Sequence, residues 1–192
     1  IGVEMADALT SLGIGTTIVE KLPQILPPFD ADMAGMVQAA LEARGVRVTC
    51  GAGVTGIERD AGGRVRAVRT EVGELGAELV ILAIGVAPNT EIAANAGIEL
   101  GARGAIRVDG GMRTNVPDIY AAGDCACATQ LVTGAEVFIP MGTTANKAGK
   151  VAGENAAGGH AAFLGVTGTM IFKLFDKEAA KTGLSLREAA SL

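Results

Sequence analysis

The chain has no tryptophan, one tyrosine and five phenylalanines, so aromatic residues fill only 3% of its 192 positions. It has a single histidine, His160, and three cysteines, Cys50, Cys125 and Cys127. Cys125-Ala126-Cys127 supplies two thiols, with no second pair to close a tetrahedral zinc site. His160 lies far along the chain in a Gly-Gly-His-Ala-Ala loop, so no metal centre is expected. An odd cysteine count in a chain that reads as cytoplasmic argues against structural disulfides. Positive charge is short as well. Lys and Arg number 16 against 21 Asp and Glu, a formal charge of -5, which argues against nucleic acid as a partner. The longest apolar run, Leu79 to Ala87, is broken by Gly85 and is too short to span a bilayer, so no membrane partner is expected. No basic stretch precedes an apolar segment near Ile1, and no secretory leader is expected.

What is present suits a packed domain. Hydrophobic residues make up 49% of the chain and charged residues 19%, a balance that supports a core rather than disorder. The 28 glycines are many for this length and follow no collagen period. They point to tight turns and to backbone that comes close to ligands, although several serve loops alone.

Taken in order, Ile1, Met5, Ala8, Leu9 and Leu12 recur at helical spacing, and Gly13 ends that helix. Nothing caps its start, as expected of a piece of a longer protein. Thr16 to Val19 is a β-branched strand ending in Glu20. Helix, glycine, strand and terminal acid form the second half of a Rossmann unit, with Gly2 in place of the last fingerprint glycine. Glu20 stands where a ribose-binding acid belongs; a surface glutamate after a strand fits equally. Asp30 or Asp32 caps a helix running to Arg44, which Gly45 ends. Val46 to Cys50 is the next strand, with Cys50 a small core residue. Val54–Asp60 and Arg64–Thr70 form a hairpin around Ala61-Gly62-Gly63, its arginines on the wet side. Leu79 to Ile84, six apolar residues in a row, predicts a central parallel strand buried on both faces, with Gly85 at its carboxyl end.

Thr90 is placed to cap a short helix over Glu91–Ala96, ending at Gly97, and Gly104–Asp109 reads as a strand. The stretch Thr114 to Asp124 comes next. A polar turn leads into a short strand, Ile119-Tyr120-Ala121-Ala122, and Gly123-Asp124 sits where the strand runs out. Ligands gather outside the carboxyl ends of strands in open α/β sheets. A glycine there admits a ligand close to backbone, and an aspartate accepts hydrogen bonds from a polyol or ribose. A plain Asx turn also fits Gly123-Asp124. A helix over Thr143–Ala156 carries a stripe of small residues, and its N-terminus offers free N–H groups and a positive dipole end. Thr169–Phe175 alternates as a strand, and Ser185 with Glu188 forms a capping box.

Thr114–Asp124 resembles the second flavin-binding motif of the pyridine nucleotide-disulfide oxidoreductases. Residues 1–20, 79–89 and 140–176 resemble further segments of the same family, in the same order. Ile-Pro-Met-Gly-Thr-Thr-Ala-Asn-Lys, from Ile139, looks closest to its NADH oxidase and coenzyme A-disulfide reductase branch. The resemblance implies an incomplete α/β fold, a Rossmann-like three-layer FAD/NAD(P)-binding fold, with the start of an α+β interface domain. It divides the chain into an NAD-binding part, 1–103, lacking its first strand and glycine loop, a second FAD-binding segment, 104–163, and the start of a dimerisation domain, 164–192. It implies NAD contacts at Gly2, Glu4, Glu20 and Gly85, with Glu4 reaching toward nicotinamide and flavin and Glu20 toward the ribose. It implies FAD contacts at Gly123, Asp124, Met141, Gly142 and Thr143, with Asp124 on the ribityl chain. The redox cysteine of the family matches no cysteine here, so no catalytic residue is assigned. The implied parent is a homodimer that passes hydride from NADH to flavin and on to a small-molecule electron acceptor. A non-catalytic nucleotide-binding module, or a ferredoxin or nitrite reductase-type flavoprotein component, is the alternative.

Overall fold

Two short β-branched segments, each preceded by a helix, begin the chain, and each finds its only strand partner in the other. The computed structural model describes residues 1–192. They form two units: Ile1–Ile84 with Met170–Lys181 and Ser185–Leu192, and Gly85–Thr169 with Thr182–Leu184.

In the first unit, α1 (Gly2–Ser11) buries Val3 and Ala6, and Gly13 leaves it with φ +78°. Strand β1 (Thr17–Val19) is followed by α2 (Ala31–Glu42) and β2 (Arg47–Thr49). β1 and β2 pair in parallel, Ile18 opposite Val48. A parallel pair needs a crossover, and α2 supplies it. Its buried residues Ala34, Val37 and Leu41 lie three and four positions apart, one face of a helix. Asp30 occupies the N-cap position of α2, but its carboxylate makes no bond to that helix, and Asp32 bonds only the adjacent amide of Met33, 2.8 Å away. The expected side-chain cap is therefore absent.

Strands β3 (Val54–Arg59), β4 (Val65–Thr70) and β5 (Gly73–Gly76) form an antiparallel meander. The hairpin between the first two turns on Asp60, whose Oδ1 accepts from the amides of Gly62 (2.8 Å) and Arg64 (3.0 Å), while Gly63 takes φ +80°. Arg66 and Arg69 lie on its wet side, paired with Glu74 at 3.1 Å and Glu58 at 2.6 Å.

Leu79–Ile84 departs from expectation. It forms no strand, and Leu79, Leu82 and Ile84 are 65%, 68% and 89% exposed. No backbone group from residue 78 to 89 is hydrogen-bonded to another backbone group. A strand exists only through a neighbour that takes its N–H and C=O groups. β1 and β2 pair only with each other, so nothing in this unit pairs with the apolar run.

In the second unit, α3 (Glu91–Asn95) follows Thr90, whose hydroxyl donates to Gly104 O at 2.8 Å instead of capping the helix. The expected strand Gly104–Asp109 shrinks to bridges at Ile106, which faces Leu100 antiparallel and Ala126 in parallel. Beyond it Asp109 turns the chain away, its Oδ1 accepting from the amides of Gly111 (2.8 Å) and Arg113 (2.9 Å). The expected strand Ile119–Ala122 is likewise one bridge, Arg113 to Tyr120. Strands β6 (Ala128–Thr129) and β7 (Glu136–Val137) pair antiparallel. The last turn of helix α4 (Gly142–Ala156) carries buried Asn155, whose amide donates to Gly111 O and Ala161 O, both at 2.9 Å.

The chain then returns to the first unit with the hairpin β8 (Met170–Leu174) and β9 (Lys177–Lys181), followed by α5 (Leu186–Ala189). Leu174 and Ala179 join Val3, Ala6, Ile25, Phe29, Ala34, Val37, Leu41 and Val46 in one core. The Ser185–Glu188 capping box is formed in both directions.

Candidate functional site

In the first unit the residues of interest lie at the start of α1 and just past β1. Gly2 opens α1, and a Cβ there would meet the Cβ of Ala83 at 3.2 Å, tighter than ordinary packing. The helix start and the end of the apolar run therefore touch where only glycine fits comfortably. Glu4 is exposed in the first turn of α1. Glu20 leaves β1 with its backbone fixed on both sides: its N–H donates to Thr49 O at 2.9 Å, and its carbonyl accepts from Ala52 N at 3.0 Å. Its Oε1 accepts from Leu22 N at 2.9 Å, and no cation pairs with the carboxylate. A rigid backbone and a carboxylate held by one amide leave acceptor capacity facing out beside exposed Lys21 and Leu22.

In the second unit Gly123 and Gly85 take φ +92° and +94°, and a Cβ at either would meet nothing within 4 Å. Backbone conformation, not crowding, selects glycine at both. Asp124 is exposed directly after Gly123, its carboxylate making no hydrogen bond or ion pair, in a turn closed by Ala126 N to Gly123 O at 3.1 Å. Met141 is the N-cap of α4, extended at φ -136°, and has no side-chain oxygen for the first-turn amides. Helix hydrogen bonding begins at Ala145 N to Met141 O, 2.9 Å, so the N–H groups of Gly142, Thr143 and Thr144 have no helical partner. Thr143 and Met141 line a cleft of about 220 Å³ together with Thr144, Lys147, Phe163 and Thr167. The free amides, the dipole end and Lys147 make this edge electropositive. Lys147 and Thr144 were not visible as site residues in the sequence, because a lysine one turn into a helix looks like any solvated lysine.

Cys125 follows Asp124 directly in the chain, and the Glu20 carboxylate is among the charges that act on Cys50. Burial pushes the thiols of Cys50 and Cys127 up, which keeps them protonated and poorly nucleophilic. Cys125 donates to Ala122 O at 3.5 Å. No three His, Cys, Asp or Glu side chains converge as a metal cage would require. No helix is long and apolar enough to cross a membrane.

Residues 1–147 match the pyridine nucleotide-disulphide oxidoreductase family. The chain belongs to that family. Its α/β architecture is the Rossmann-like FAD/NAD-binding fold of the family's solved structures. It is 41% identical to the NADH oxidase of Methanocaldococcus jannaschii over 96% of its own length and 41% of the relative's. It is 39% identical to the NAD(P)H coenzyme A polysulfide/persulfide reductase of Pyrococcus horikoshii, over 98% of the chain and 42% of the relative. A crystal structure of an FAD-dependent pyridine nucleotide-disulphide oxidoreductase from Desulfovibrio vulgaris superposes with TM-score 0.94 at 44% identity, covering 98% of this chain and 48% of that one. An engineered water-forming NADPH oxidase bound to NADPH, a five-substitution variant of an oxidase from Lactobacillus brevis, superposes with TM-score 0.92 at 28% identity, covering 99% and 42%. The chain thus spans less than half the length of these relatives.

Proposed function

We propose that this chain carries part of the cofactor-binding surface of a flavin- and NADH-dependent oxidoreductase of the NADH oxidase or coenzyme A-disulfide and persulfide reductase type. The NAD-binding part is 1–103, the second FAD-binding segment 104–163, and the start of the dimerisation domain 164–192. In a doubly wound sheet of order 3-2-1-4, β1 and β2 take positions two and three, and Leu79–Ile84 takes position four, next to a first strand supplied from outside these residues. The parent is a homodimer acting in the cytoplasm on NADH and a small-molecule acceptor: a disulfide, a persulfide or oxygen.

A register of five residues supports this most. The five substitutions that distinguish the NADPH-bound variant fall on a glycine, an aspartate eighteen positions later, the two positions after that, and a proline seven beyond the aspartate. Gly2, Glu20, Lys21, Leu22 and Pro27 reproduce that spacing, with glycine, an acid and proline in the same places. Glu20 then accepts from the adenosine ribose hydroxyls of NADH and repels the 2′-phosphate of NADPH. Glu4 lies along the dinucleotide.

The FAD residues fit their group on the same terms. Asp124 has an unengaged carboxylate beside a glycine with open space, as a polyol chain needs. The free amides of Gly142 and Thr143, at the end extended by Met141, suit the electron-rich edge of a flavin. Asp124, Gly142 and Thr143 would hold the flavin, which would supply the hydride-accepting and electron-transferring chemistry. The chain's own residues hold, orient and bias charge around it. Relatives named NADH oxidase and persulfide reductase favour this over a ferredoxin or nitrite reductase-type component, and over a module that binds nucleotide without chemistry. The test is a visible absorption spectrum of the full-length protein before and after NADH. A flavin band that bleaches is expected; a colourless protein, or a band unmoved by NADH, refutes the proposal.

A further inference from the structure

We propose that the segment Met170–Leu192 positions the dinucleotide loop, with Lys181 and Arg187 as its two positioning residues. This rests on assigning Glu20 through Pro27 to the adenosine end of NADH.

Beyond the bond from Leu22 N to Glu20, the loop between β1 and α2 holds itself at Phe29 alone, whose N–H donates to Leu26 O at 2.9 Å and whose carbonyl accepts from Gln24 Nε2 at 3.0 Å, and it buries Ile25 in the core. Pro23, Pro27 and Pro28 bring no N–H groups, and Leu26 sits at φ +51°, a conformation that costs a non-glycine residue. Its first part is fixed by the turn after β2: Gly51 N donates to Leu22 O at 2.9 Å. Its second part is fixed by the terminal segment. Arg187 Nη2 donates to Pro27 O at 2.9 Å, and Lys181 Nζ donates to Pro28 O at 2.8 Å. Leu186 N donates to Asp30 Oδ1 at 2.8 Å, which is where the carboxylate that leaves α2 uncapped is engaged. Phe29, 5% exposed, meets Phe172 edge-on with ring centroids 5.8 Å apart. Four consecutive residues, 27 to 30, are thus each held by the same segment.

The holding groups are themselves organised. Glu188 Oε2 accepts from Ser185 N (2.7 Å), Ser185 Oγ (2.8 Å) and Lys181 Nζ (3.3 Å). One carboxylate therefore caps α5 and aims the lysine, whose side chain is only 13% exposed, at Pro28. Pro27, gripped by Arg187, matches by spacing one of the five positions altered in the NADPH-bound relative. The grip lies on one of the five positions of that register, and it belongs to a segment far away in sequence. A purely structural hairpin has no reason to alter nucleotide affinity. A positioning segment does, because a displaced loop no longer presents Glu20 and its neighbours in register.

The experiment uses the flavin-loaded full-length enzyme and the variants Arg187→Ala, Arg187→Lys, Lys181→Ala and Glu20→Gln. Flavin reduction is followed over a range of NADH and NADPH, and NAD+ binding is measured separately by calorimetry. Loss of a charged donor to a carbonyl should raise KM for NADH and Kd for NAD+ by roughly three- to tenfold, with the limiting rate changed less than about twofold. Arg187→Lys should recover most of the loss. Unchanged KM and Kd in both alanine variants would overturn the proposal. If the alanine variants fold poorly, hydrogen exchange of residues 23–30 in the wild-type enzyme decides: protection in step with β8 and β9 supports the proposal, and exchange as free as an unheld loop overturns it. Glu20→Gln separates the two levels. If it leaves the NADPH to NADH ratio unmoved, the ribose assignment fails, whereas a moved ratio with inert Arg187 and Lys181 rejects only the positioning role.

Discussion

Two apolar stretches of the first unit meet opposite fates. In α2, Ala34, Val37 and Leu41 are buried, Leu41 completely. In residues 79–84, Leu79, Leu82 and Ile84 are among the most exposed hydrophobic side chains in the molecule. Hydrophobicity does not separate them. A helix satisfies its backbone within itself and needs only a surface on which to lay one face. A buried parallel strand needs two neighbours before any side chain can be hidden. The helix therefore folds against the partners at hand, and the strand-forming run stays bare.

Truncation should expose that contrast most strongly. Leu41→Ala should cost about 2–5 kcal/mol of unfolding free energy, read by chemical denaturation, because it empties a fully packed site. Ile81→Ser should do little in the 192-residue chain, within about 0.5 kcal/mol. In the full-length enzyme the same change should cost about 1–3 kcal/mol if residues 79–84 become an inner strand. Equal small effects in both would mean that the run never pairs. Next in size is the cap: Ser185→Ala should cost about 1 kcal/mol by removing the acceptor for Glu188 N.

The smallest effect is on acid stability. Backbone and side-chain hydrogen bonds from Ser185, with Lys181 nearby, hold Glu188 below the ordinary glutamate range. The Arg107 guanidinium does the same to Glu136. A carboxyl whose folded pKa is depressed stabilises the fold above its unfolded pKa and loses that contribution as pH falls through the folded value. Acid titrations of Glu188→Gln and Glu136→Gln should therefore show a shallower decline below the ordinary glutamate pKa of about 4.3 than wild type. An unchanged slope would mean that these bonds add nothing to acid stability.

Much of the fold was legible in the sequence. Helix–strand–helix–strand over residues 2–49 came from glycine stops and helical periodicity, and the 185–188 box from a Ser and a Glu three apart. Local signals settle local elements. The strands expected at 79–84, 104–109 and 119–122 failed for one reason: each needs a long-range partner, which no local pattern records. β5 was invisible because Gly73–Gly76 has almost no strand propensity and exists by pairing with β4. At the candidate site the family motifs pointed to Glu20, Asp124 and the start of α4. They could not reveal that Lys181 and Arg187 reach back across the sequence to Pro27 and Pro28, since nothing local distinguishes those cations from solvated ones.

The most direct test of the central claim is anaerobic reduction of the full-length enzyme's flavin by NADH and by NADPH under matched conditions. Reduction by NADH should be about tenfold faster or more at subsaturating nucleotide, with Glu20→Gln closing the gap, because one close charge contact is worth about 1–4 kcal/mol and about 1.4 kcal/mol is a factor of ten. Equal rates with the two nucleotides, or a gap that Glu20→Gln leaves intact, would contradict the role given to Glu20.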